Sequence, residues 1–70
     1  MSPAGPPRPD AALGEVIFET SRQGAYVRCA AIHVATGIEV SAFGPVHEPH
    51  GVQQVALAKL KRALERAGRL

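Results

Sequence analysis

Seventy residues with one cysteine, no tryptophan and a formal charge of +2 make one small domain. Cys29 alone excludes an intramolecular disulfide and a four-cysteine zinc cluster, and no apolar run approaches the roughly 20 residues needed to cross a bilayer. Eight Lys and Arg against six Asp and Glu permit an acidic partner without requiring one.

Residues 1–12 hold Pro3, Pro6, Pro7 and Pro9, interleaved with Ser, Ala and Gly. A stretch short of backbone donors and apolar side chains is expected to be a disordered tail, which leaves residues 13–70 as a single domain. Proline stands where a secretory signal would carry its apolar region, so the expected compartment is the reducing cytoplasm.

Residues 14–21 (Gly-Glu-Val-Ile-Phe-Glu-Thr-Ser) are rich in strand formers, and Arg22-Gln23-Gly24 is read as the bend that follows. Residues 25–33 form the next strand. Val34-Ala35-Thr36-Gly37 makes a second turn, and residues 38–43 a third strand. A four-residue second loop places Ala31 opposite Val40 and Cys29 opposite Ala42. A four-residue first loop places Phe18 opposite Val27 and Val16 opposite Cys29. One face then reads Val16, Phe18, Val27, Cys29, Ala31, Ile38, Val40 and Ala42, apolar throughout.

Gly44 to His50, with Pro45 and Pro49, reads as a connecting loop. From residue 51 to 67 the periodicity becomes helical: Val52, Ala56, Leu60, Ala63 and Ala67 recur at spacings of three and four, widened by Leu57 and Leu64 on one side and Val55 on the other. Gly68 is placed for a left-handed C-cap, with Leu70 able to fold back over the last turn. The expected fold is α+β: a two-layer β-β-β-α arrangement in which a three-stranded antiparallel meander packs against one C-terminal helix. A core of this size supplies roughly 3–5 kcal/mol, so self-association is a common supplement.

The pattern Gly24-x-Tyr26-Val27-Arg28, Ala30-Ala31-Ile32, Thr36-Gly37-x-Glu39-Val40 and Leu57-Ala58-Lys59-Leu60 resembles a family of short bacterial proteins catalogued as a domain of unknown function. The likeness spans about residues 14–64. It implies a small cytoplasmic bacterial protein and carries no activity with it. Where that pattern would favour Asp-Pro after Ile32, this chain has His33-Val34.

His47-Glu48-Pro49-His50 resembles a zinc motif at first sight. Two histidines on one helical face need a spacing of four, however, and these stand three apart across a proline. Cys29 belongs to the core, where a thiol behaves as a small hydrophobe. Ser21 and Ser41 lack a nucleophile-elbow setting, and no glycine-rich phosphate loop leads into the helix. Neither a cofactor, a metal, a small-molecule substrate nor an enzymatic activity is therefore expected.

Two surfaces remain for a partner. The sheet face away from the helix presents Glu15, Ile17, Glu19, Tyr26, Arg28, Ala30, Ile32, Glu39, Ser41 and Phe43. Its Ile17, Tyr26, Arg28, Ile32 and Phe43, with Arg28 lying between Ile17 and Phe43 in this register, have the composition expected at the centre of a protein interface. They favour a protein partner or a homodimer. The helix flank carries Lys59, Arg62, Arg66 and Arg69, the alternative being a nucleic-acid-binding surface, which the glutamates of the sheet face oppose.

Overall fold

The structure, a computed structural model, describes residues 8–70. It contains four strands and one helix: β1 (Arg8–Asp10), β2 (Gly14–Gln23), β3 (Tyr26–His33), β4 (Glu39–Pro45) and α1 (Pro49–Arg66). The strands form one antiparallel sheet in the order β1-β2-β3-β4, with α1 on one face against β3 and β4. The α+β, two-layer architecture is as the sequence implies, with one strand more than the three expected.

That extra strand falls where the sequence places a tail. Residues 1–7 lie outside the described residues. Arg8 pairs with Val16 and Asp10 with Gly14. The carboxylate of Asp10 makes this possible: Oδ1 accepts from the N–H groups of Ala12 (2.9 Å) and Leu13 (3.1 Å), folding the chain back on itself. Oδ2 lies 3.9 Å from Lys61 on the helix. Pro9 is tolerated because its missing N–H falls on the outer side of an edge strand.

The second hairpin has the expected register. Ala31 faces Val40 and Cys29 faces Ala42, and the four-residue loop closes with His33 N–H to the Ile38 carbonyl at 2.8 Å and Gly37 N–H to the His33 carbonyl at 2.7 Å. The first hairpin is tighter than the sequence reading has it. Gln23 pairs with Tyr26 across Gly24-Ala25, so Phe18 lies opposite Ala31 and Val16 opposite His33. Gly24, at φ +62°, is the first central residue of the loop, and Ala25 keeps a negative φ, the combination a two-residue type II′ turn requires. Nothing in Ser21-Arg22-Gln23 interrupts a strand, so pairing continues to the turn. The shift is four residues, an even number, and each side chain keeps its face.

The core lies between the helix and that face. Leu13, Val16, Val27, Cys29, Ala31 and Ala42 are buried with Val52, Ala56, Leu60 and Leu64, and Phe18, Ile38, Val40 and Leu57 pack around them. The helical stripe follows the 52-56-60-64 row and widens toward Leu57; Val55 and Ala67 are exposed instead of joining it. The helix begins at Pro49, earlier than the periodicity suggests, because proline suits the first helical position. Gly44 and Pro45 accordingly belong to β4, not to a loop. At the other end Gly68 N–H bonds the Glu65 carbonyl and Arg69 N–H the Leu64 carbonyl, a Schellman closure about Gly68 at φ +68°. Leu70 remains exposed and does not cover that turn.

Candidate functional site: the open sheet face

With α1 covering one side, the sheet presents the other to solvent in cross-strand rows set by the register. Gln23, Tyr26 and Pro45 form the row nearest the first hairpin. Ser21, Arg28 and Phe43 come next, then Glu19, Ala30 and Ser41, and last Ile17, Ile32 and Glu39. All five interface residues anticipated from sequence stand on this face. They do not form one cluster. Arg28 lies between Ser21 and Phe43, and Ile17 lies opposite Ile32, because the tighter first turn moves β2 along β3.

The face therefore carries two apolar ends. At one, Tyr26 and Phe43 are 61% and 62% exposed and sit diagonally across β3 and β4. Arg28 and Phe43 form a pair with no mutual main-chain bonds, the closer kind of antiparallel neighbour, so the arginine stem has an aromatic ring beside it. Ile17 and Ile32 occupy the other end, both partly buried, with Glu39 alongside. Between them is Ala30, only 1% exposed. Its neighbours on this face, Arg28 and Ile32 along the strand and Glu19 and Ser41 across, all outreach its methyl group. The middle of the face is thus a shallow dip walled by longer side chains.

Residues 13–67 match the family model DUF6898, a domain of unknown function. The chain belongs to that family. No curated protein and no solved structure matches it. The family segment contains β2, β3, β4 and α1, and β1 precedes it. No helix among the described residues is long and apolar enough to cross a membrane.

His33 and Cys29 are taken up by the fold. His33, the last residue of the second expected strand, is 5% exposed at the end of β3. Its Nε2 lies 2.7 Å from the Leu13 carbonyl and its Nδ1 2.7 Å from Thr36 Oγ1, which also accepts from Ile38 N–H at 3.2 Å. This fits one tautomer, with Nε2–H donating to Leu13 and Nδ1 accepting from the threonine hydroxyl. The signal was available: His33 shares the odd parity of Val27, Cys29 and Ala31, and that parity points at the helix. Cys29 is buried, and burial pushes its thiol above the ordinary value against smaller effects of Thr20 and Arg28. His47 and His50 are exposed, and no group of three or more His, Cys, Asp or Glu comes together among the described residues.

The basic flank divides. Lys59 Nζ donates to the main-chain carbonyl of Ser41, tying the helix to β4. Lys61, on the opposite flank, reaches Asp10. Arg62, Arg66 and Arg69 are exposed and have no carboxylate partner among the described residues.

Proposed function

We propose that this chain is a non-enzymatic interaction module that docks a protein, or a second copy of itself, through the sheet face opposite the helix. The observation that carries the reading is the pair Tyr26 and Phe43, two aromatic rings each more than half exposed on adjacent strands of a sheet whose other face is closed. Burying the part of either ring still exposed is worth about 1–2 kcal/mol, a large share of the roughly 3–5 kcal/mol that a core of this size supplies. Arg28 beside them and Glu19 and Glu39 further along supply the polar rim that such contacts use. The non-enzymatic part rests on the use already made of His33 and Cys29, which are packed into the fold.

Light scattering on the parent and on Tyr26→Glu tests the self-associating version. A parent mass above that of the monomer, returning to monomer in the variant, is expected. Monomers in both remove that version. A photo-crosslinking side chain placed at position 26, compared with one at the exposed helix position Ala58, tests the version with another protein. Adducts at 26 and not at 58 are expected. Equal yields at both positions, or none at either in a lysate of the native cell, would end it.

A further inference from the structure

We propose that the outer edge of β4, together with Lys59, Arg62 and Arg66, accepts an extended acidic segment of a partner protein as an added strand. This surface shares Phe43 with the open face but is engaged through the main-chain edge and the basic flank, and its test reads amide protection along β4, not the mass or crosslinking that tests the reading above.

The register decides what the edge offers. His33 N–H bonds the Ile38 carbonyl, so odd-numbered residues of β3 exchange main-chain bonds with β4, and their partners Val40, Ala42 and Gly44 point inward. Glu39, Ser41, Phe43 and Pro45 therefore point their main-chain groups away from the sheet. Pro45's carbonyl accepts Glu48 N–H, and Ser41's carbonyl accepts from Lys59. The N–H groups of Glu39, Ser41 and Phe43 and the carbonyls of Glu39 and Phe43 have no partner among the described residues. No proline interrupts the edge until Pro45. Among the described residues Lys59 alone guards the edge, and it holds its carbonyl by a flexible stem.

Charge then selects the occupant. Lys59 reaches β4, and Arg66 and Arg62, three or four residues apart from one another or from Lys59, continue that basic side of the helix progressively further round toward solvent. A second copy pairing there about a two-fold axis at Ser41 would bring two such basic flanks together, which like-charge repulsion disfavours. Residues 1–7 of this chain contain no carboxylate. An acidic partner strand satisfies both sets of groups. Its main chain meets the edge, one of its N–H groups replaces Lys59 at Ser41, and the released ammonium joins the two arginines on carboxylates. Glu39 faces the open side of the same edge and repels acid there. The expected segment thus alternates, with acidic residues toward the helix and apolar ones beside Phe43.

An alternating Glu/Val peptide of about seven residues, long enough to span an ordinary strand, is the probe. A Lys/Val peptide and a single-stranded DNA oligonucleotide serve as comparisons. Amide hydrogen exchange is followed by NMR at Glu39, Ser41 and Phe43. The Glu/Val peptide is expected to slow exchange at all three at least about tenfold, with the Lys/Val peptide inert. Arg62→Glu/Arg66→Glu, which touches no contact of the fold described above, should weaken binding by at least about tenfold. Absence of protection at β4 overturns the proposal, as does protection that survives charge reversal. If DNA binds through the flank while the acidic peptide does not protect β4, the nucleic-acid reading replaces it.

Discussion

Gly44 leaves no room for a side chain between β4 and the helix, and replacing it by alanine tests how the two layers fit. A methyl group at Gly44 would lie 2.3 Å from Val52 Cγ2, more than 1 Å short of ordinary van der Waals contact. Val52 is 5% exposed and β-branched, so its methyl has neither space nor rotamer freedom to withdraw. Forcing such a group into a packed core costs about 1–3 kcal/mol. Reduced freedom of the unfolded chain returns about 0.4–1 kcal/mol. Gly44→Ala is thus expected to destabilise by about 1–2 kcal/mol, a shift of roughly 4–8 °C per kcal/mol in a domain of this length. Urea denaturation of four proteins checks it: the parent, Gly44→Ala, Val52→Ala and the double variant. In the Val52→Ala background the added methyl should be neutral or stabilising, because it occupies the space that the valine gives up. An equal cost in both backgrounds would refute close approach of β4 and α1 at this position, and so would a cost below about 0.5 kcal/mol in the parent.

Two further substitutions examine the end of the sheet where Asp10 and His33 meet at Leu13. His33→Leu should cost about 1–3 kcal/mol in urea denaturation by leaving the Leu13 carbonyl and the Thr36 hydroxyl without their ring partner, and His33→Gln should recover part of that if either bond is remade. Asp10→Asn bears on acid sensitivity. The Ala12 amide, joined by Leu13 and Lys61, holds the Asp10 carboxyl below its ordinary 3.8 against the opposing pull of desolvation. A carboxyl lowered in the folded state contributes stability above its unfolded value and loses it as pH falls through the folded one. The gap in melting temperature between parent and Asp10→Asn should therefore narrow on acidification from about pH 5 to below the ordinary carboxylate value; a constant gap would show that the charge of Asp10 contributes nothing.

The second hairpin and the covered face were legible because short signals define them. Thr36-Gly37 marks a turn whose length fixes the partners of Ala31 and Cys29, and alternation sorts Val27 from Tyr26. The first hairpin shows the limit of alternation. Pairing Val16 with Cys29 or with His33 buries the same side chains, and only the turn geometry at Gly24-Ala25 separates the two. The anticipated neighbours of Arg28 changed for that reason, while its face did not. The strand Arg8–Asp10 had no legible propensity at all: it exists because Asp10 bonds two amides a few residues ahead, a local contact that composition conceals. The dip at Ala30 likewise depends on which four residues surround it.

β1 pairs with only the first third of β2. The family segment starts after β1, and the core lies almost wholly within it. A polypeptide trimmed to begin at Leu13 would keep the residues that exclude water between sheet and helix, yet uncover the stretch of β2 that β1 pairs with, Gly14 to Val16. Shortened forms would then tend toward uncontrolled stacking of copies, side by side, with the closed interior of each one intact.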